Sequence, residues 1–427
     1  MNSISRRLWM VLFLTFFVFA LSIKTNAEVT IVVSGHDPKE GINSGIFDMC
    51  ASPTNPNGIG CQPILLPLGD PLNPLKSLDY SQEEKDVNDL TIKALGEMEG
   101  INMVGYSHGA TLVLKVANSL SKSKNPLVCI DRMVTLDRVS FLYPFPGQTK
   151  SLPKNVWKAL NIYQTLGSKK TDFLTSGALC PLDIFGLIKF PAPKPLYGTP
   201  LTGAENEDVT AQVLSFWNGL PEGQRPECLH WWMEKDPNVQ MLITSFLSEP
   251  AGILGNWDVT IDGTLCASGL GCQDISQGAS ITFSANMAYK DEGYDGDYID
   301  VGYGASIGKW VRTNCNKIQV DYNKELLASL QKQTCLAMGY DCDYNITKAY
   351  AVYTHLQNSD QMWAVSFWQG DLTIYDGVGG ILYKGRVTAK GKGTASLGSA
   401  STYSFDQEYI EARGPVTSII GPVIILP

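Results

Sequence analysis

Ser107 stands in Gly105-Tyr106-Ser107-His108-Gly109, a G-x-S-x-G string. The string alone is weak in a chain holding 40 glycines, and the sequence supplies its own control in Gly304-Ala305-Ser306-Ile307-Gly308. Lys309 and Trp310 follow that copy with no helical pattern, so it reads as a turn or strand end. At Ser107 the context differs. Apolar residues 101–104 form a strand pattern entering it, and Leu112, Val113, Val116, Ala117 and Leu120 recur as one helix face leaving it. A serine on such a tight turn exposes its hydroxyl, its flanking glycines relieve crowding, and the helix N-terminus offers N–H groups to a developing oxyanion. The chemistry this serves is nucleophilic attack on an acyl carbon.

A serine of ordinary pKa needs a base, and the chain has four histidines. His108 lies inside the turn, where its backbone N–H is useful but its ring points away from the reacting face. His36, in Ser34-Gly35-His36-Asp37 after the first strand, suits an oxyanion loop better than a base. His355 falls in a β-rich half. His230 remains, in the loop feeding the last helix of its half, where a base belongs in the chain order nucleophile, acid, base. The acid must hold the imidazole tautomer and stabilise the imidazolium. Asp137 is the choice because it ends an apolar strand and leaves the sheet on the same edge as Ser107, with Asp172 and Asp208 in reserve after later apolar stretches.

These groups need a scaffold, and residues 28–250 alternate apolar strands with helical patterns, as expected of a mostly parallel sheet covered by helices. Strand patterns fall at 29–34, 101–104, 130–136 and 159–163. Ser81 with Glu84 makes a capping box before Val87, Leu90, Ala94 and Met98, and Asp236-Pro237 caps a helix with Val239, Leu242, Ile243 and Phe246 on one face. From residue 253 to 427 the period becomes two, at Trp257, Val259 and Ile261, at Ile281, Phe283, Ala285 and Met287, and again at Trp363, Val365 and Phe367. One helical stretch, 324–333, interrupts it. The expected architecture is therefore an α/β domain followed by an all-β barrel or sandwich, joined at Glu249-Pro250-Ala251-Gly252.

At this point residues 28–248 resemble the α/β-hydrolase superfamily, most closely its secreted lipase and esterase members. Leu136-Asp137-Arg138 is similar to the L-D-P that carries the acid in lipases of the pancreatic type, with Arg138 in place of proline. The stretches Asn161-Ile162-Tyr163-Gln164 and Gly203-Ala204-Glu205-Asn206-Glu207-Asp208-Val209 also have counterparts in small secreted relatives. The resemblance implies Ser107 as nucleophile, Asp137 as acid, His230 as base, and the backbone N–H groups of His36 and His108 as oxyanion hole. It implies no cofactor. In relatives the histidine comes soon after the Asp-Val strand, whereas here it is late, which makes 211–228 an insertion. Gly255-Asn256-Trp257 is similar to the G-x-W that opens the first strand of lipocalins.

Charge and cysteines bound the setting. Lys and Arg number 33 against 42 Asp and Glu, a net of −9, which argues against a nucleic-acid binder. Residues 1–27 read as an export signal: Arg6 and Arg7, an apolar run of 16 residues at 8–23, then Thr25-Asn26-Ala27. Cleavage after Ala27 would remove Arg6, Arg7 and Lys24 and leave 30 − 42 = −12. The expected location is outside the cytoplasm, secreted or periplasmic, where ten cysteines can pair. Expected pairs are Cys50 with Cys61, Cys180 with Cys228, Cys266 with Cys272 and Cys335 with Cys342, while Cys129 is expected to pack as a small hydrophobe.

Two readings of the whole chain follow. The first is a secreted serine hydrolase acting on a small-molecule or lipid ester, with the Pro-rich segment at 167–200 as lid, acyl wall or ordered surface loop. The second is a catalytically inactive binding protein whose β half carries surface or ligand docking, with Trp310, Trp363, Phe367 and Trp368 as candidate lining, although aromatic strand residues are more often core. Asp291, Asp295, Asp297 and Asp300 form a Gly- and Tyr-rich cluster that lacks EF-hand spacing and reads as a solvated turn.

Overall fold

The computed structural model describes residues 28–35, 45–50, 60–66, 81–96, 100–122, 127–138, 150–165, 179–180, 194–195, 198–221, 229–249, 252–302, 304–337, 339–376 and 378–397. The signal-like segment, His36, Asp172, Cys228 and most of 167–200 lie outside these. The first unit is a six-stranded sheet built from β1 (Glu28–Val33), β2 (Cys61–Ile64), β3 (Gly100–Tyr106), β4 (Ile130–Leu136), β5 (Val156–Tyr163) and β8 (Glu205–Asp208). A small antiparallel ribbon, β6 (Leu179–Cys180) with β7 (Lys194–Pro195), precedes the last of these. The order is β2-β1-β3-β4-β5-β8, with every pair parallel.

Parallel strands with helices on both sides are buried on both faces, which is why β3 is buried at every position and β4 at all but Asp131. Alternate residues divide between two cores. Ile31, Met103 and Met133 pack with α1 (Ser81–Gly96) and α2 (His108–Leu120). Val32, Val104 and Val134 pack with α3 (Thr210–Gly219), α4 (Leu229–Trp232) and α5 (Pro237–Ser248). The Asp236 carboxylate caps α5 by accepting from the N–H groups of Asn238 and Val239. The expected insertion at 211–228 contains α3, whose Val213 and Trp217 are buried.

The second unit is a closed barrel. Its strands are β9 (Gly255–Ala267), β10 (Gly271–Ala285), β11 (Gly296–Asp300), β12 (Ala305–Asn314), β13 (Lys317–Tyr322), β14 (Asp341–His355), β15 (Gln361–Tyr375) and β16 (Ile381–Leu397). Each pairs antiparallel with its chain neighbour, and β16 pairs with β9 to close the ring. Closure decides between the barrel and the sandwich that strand periodicity leaves open. The helix between β13 and β14 is α6 (Lys324–Ala337), which presents Leu327 and Cys335 to the barrel core. Trp257, Trp310 and Trp368 lie inside, so the last two line no outer face. The second G-x-S-x-G opens β12, with only Gly304 in the preceding turn, away from any helix start. The period-two reading extends two residues past the strand end at Ala285 to Met287, which opens a short 3-10 turn.

Three expected disulfides are present: Cys50–Cys61, Cys266–Cys272 and Cys335–Cys342. The reading of Cys129 is corrected. It bonds Cys315 across a separation of 186 residues and ties the base of β4 to the β12–β13 turn. With the other eight cysteines assigned, Cys129 and Cys315 were the two left over, and that remainder was the available signal.

The two units meet along β5. Its partner β8 covers only Leu160–Tyr163, leaving the outer edge of 156–159 without a strand. The β14–β15 loop fills that edge. Asn358 donates its N–H to the Trp157 carbonyl at 2.9 Å, and its side-chain oxygen accepts from the Ala159 N–H at 2.8 Å. Lys158 pairs with Asp360 at 2.5 Å. The Trp157 ring stacks on His355 with centroids 3.5 Å apart, and His355 Nε2 lies 2.7 Å from the Ser359 carbonyl.

Burial in this junction holds the His355 pKa down at about 4 against an ordinary 6.5. Between those values the unfolded chain binds more protons, so stability rises with pH through that window and is level above it. The full effect is on the order of 3 kcal/mol. Melting temperatures measured from pH 4 to 7 should fall on acidification less steeply in His355→Gln than in the parent chain. Parallel profiles would remove His355 as the responsible group.

Candidate functional site

Ser107 sits between β3 and α2 at φ 55° and ψ −114°, a conformation L-residues seldom adopt. Its N–H donates to the Leu136 carbonyl on β4 at 2.9 Å, which pins the turn to the neighbouring strand. The flanking glycines are required by close approach. A Cβ on Gly105 would lie 2.6 Å from the Ala110 nitrogen, and one on Gly109 would lie 2.4 Å from the Ser34 carbonyl oxygen. The turn lies where the chain switches from one side of β1 to the other, outside the carboxyl ends of the strands, where open parallel sheets form their crevice.

His230, on α4, reaches Ser107 across 123 positions of sequence: its Nε2 lies 2.9 Å from Ser107 Oγ. Its Nδ1 lies 2.6 Å from Asp137 Oδ2. The ring is held from behind, because Tyr106 Oη donates to the His230 carbonyl at 2.6 Å and the two rings stack at 5.2 Å. Both His230 and Ser107 are buried.

Asp137 follows β4 with φ 42° and is 0% exposed. Its N–H donates to the Ile162 carbonyl at 2.7 Å. A fully buried carboxylate must be hydrogen-bonded, and three donors converge on it. Besides His230, Gln164 donates through its backbone N–H to Oδ1 at 3.3 Å and through Nε2 to Oδ2 at 3.2 Å. Gly198 lies against the same group, where a Cβ would come within 2.7 Å of Oδ1.

The structure thus brings Ser107, His230 and Asp137 into one chain of contacts. His108 opens α2, so its backbone N–H belongs to the N-terminal turn, where a helix favours negative charge. His36 and Asp172 lie outside the described residues. Asp208, the other reserve, ends edge strand β8 and accepts from the Thr210 N–H at 3.0 Å, which commits it to the start of α3. Arg138 is buried, and burial lowers its pKa. Tyr106 and Gly198 were not read from the sequence as site residues, and Gln164 appeared only within a resembling stretch; no local pattern marks a group that acts through a residue many positions away. Among the described residues no cluster of three or more His, Cys, Asp and Glu could hold a metal.

A scan against protein-family models and searches of curated proteins and of solved structures find no match.

The Ser107 backbone predicts a stability difference between two variants that both lack the hydroxyl. Ser107→Ala keeps a Cβ at positive φ, whereas Ser107→Gly removes it. Strain of about 1–3 kcal/mol, less about 0.5–1 kcal/mol for the freer unfolded glycine, leaves Ser107→Gly the more stable by about 1 kcal/mol. Urea unfolding of the pair measures it, and a more stable alanine variant would show the turn to be unstrained.

Proposed function

We propose that the chain is an exported serine ester hydrolase of the α/β-hydrolase type, acting on a small-molecule or lipid carboxylic ester with a hydrophobic acyl group. The observation that carries this reading is the pair of contacts from His230, 2.9 Å to Ser107 Oγ and 2.6 Å to the buried Asp137 carboxylate, at a strained strand-to-helix turn. In the proposed reaction Ser107 Oγ attacks the acyl carbon while His230 Nε2 takes its proton. Asp137 holds the Nδ1–H tautomer and stabilises the imidazolium, with Gln164 keeping the carboxylate in place. Negative charge on the carbonyl oxygen would meet the N–H of His108 and that of the His36 loop. The imidazolium returns its proton to the leaving alcohol, and water, activated by the same base, releases the acid and frees Ser107. The apolar composition of 167–200 favours a hydrophobic acyl chain, and the signal-like segment with four disulfides among the described residues accords with export.

The test uses a fluorophosphonate probe and p-nitrophenyl esters of increasing chain length on the mature chain. The expected result is stoichiometric labelling and turnover, both abolished in Ser107→Ala and lowered by at least about a thousandfold in His230→Ala. Gln164→Ala should lower kcat about tenfold with little change in KM, since it acts through Asp137. An unlabelled, inactive parent chain would instead favour a binding protein, and activity surviving in Ser107→Ala would assign the nucleophile elsewhere.

A further inference from the structure

The β15–β16 hairpin presents an outer face that the barrel core does not explain. Thirteen large hydrophobic side chains are exposed among the described residues, and five of them, Trp363, Val365, Val378, Ile381 and Leu382, lie on this one hairpin. Val378, at its tip, is 93% exposed. Burial alternates along both strands, so Met362, Ala364 and Trp368 face inward while Trp363, Val365 and Phe367 face outward. Cross-strand register then sets Lys392 beside Val365 and Lys390 beside Phe367. Strand β16 carries Lys384, Arg386, Lys390 and Lys392 and no acidic residue, in a chain whose net charge is −9.

Most carboxylates of this region already have partners. Asp341 and Asp343 pair with Lys332, Asp371 lies 3.6 Å from Arg386, and Asp376 accepts from the N–H groups of Val378 and Gly380. Asp262 on β9 is in register with Lys392 without reaching ion-pair distance. Lys384, Lys390 and Lys392 form no ion pair among the described residues.

The geometry points to this face as a docking surface for an anionic lipid bilayer. Val378, Ile381 and Leu382 enter the acyl boundary, Trp363 and Phe367 lie at headgroup level, and the three lysines meet lipid phosphates. Both halves of the pattern are needed to choose the occupant. A soluble polyanion would satisfy the lysines and leave the aliphatic tip in water. A second copy in a two-fold contact would set one lysine column against the other. The face extends about 40 Å along β16 from Leu382 to Thr394, at roughly 3.3 Å per residue. The barrel joins the sheet at the start of β4 and β5, the edge opposite to Ser107, so docking here localises the chain and leaves the Ser107 rim unblocked.

Co-sedimentation with vesicles of phosphatidylcholine, with and without phosphatidylserine, tests the assignment. The expected result is binding that requires phosphatidylserine and declines with salt. The combined Lys384→Gln, Lys390→Gln and Lys392→Gln variant should bind about a hundredfold more weakly, at roughly fivefold per cation near an anionic surface. Leu382→Ser with Val378→Ser should also lose binding, while both variants keep the parent melting temperature and soluble-ester turnover. Binding indifferent to phosphatidylserine and to the lysine variant, or no binding, overturns the proposal. A parent dimer that the variants dissociate would give the face to a second copy. Vesicle binding and soluble-ester turnover are separate readouts, so failure of one proposal is distinguishable from failure of the other.

Discussion

A carboxylate with no exposed surface is the constraint around which the first domain is arranged. An uncompensated charge at Asp137 would cost several kcal/mol, so its donors must arrive together in the folded chain. They come from the end of β5, through Gln164, and from α4, through His230. Meeting that demand fixes the stagger of β5 against β4 and the height at which α4 packs on the sheet. Gly198 lets the segment before β8 approach the same oxygen. Ser107 is coupled to the arrangement from the other side, since its N–H is bonded to the residue just before Asp137.

A second constraint is the sheet edge. Strand edges with unpaired backbone groups invite association, and this chain disposes of them in three ways. The β2 edge is short, contains Pro63 and is tied by Cys50–Cys61. The half of β5 that β8 leaves unpaired is covered by Asn358 and its neighbours from the barrel, and the barrel has no edge because it closes. The barrel therefore completes the sheet, and Cys129–Cys315 holds it where the completion occurs.

Much of this was legible before any coordinates. The strand entering Ser107 and the helix leaving it are local patterns, and apolar periodicity marked them while excluding the second copy of the string. Asp137 was legible as the end of an apolar strand. His230 could be chosen by elimination because only four histidines exist. The late position of His230 is accounted for by α3, which occupies the interval, with Phe216 stacked on Trp232 beside the histidine. Cys129 misled because an apolar neighbourhood suits a buried thiol and a buried disulfide equally well.

The sequence by itself determined the strand and helix that frame Ser107, the strand that ends at Asp137, and where the periodicity changes from one domain to the next, but not β2, α3, β14 or β16. The features it determined depend on short-range periodicity. Only the tertiary structure decided that the second domain closes as a barrel, that Cys129 reaches Cys315, and that Gln164 and Tyr106 brace Asp137 and His230. Each of those is a contact between segments far apart in the chain, set by packing and by the need to satisfy buried polar groups, and no local pattern encodes such a partner.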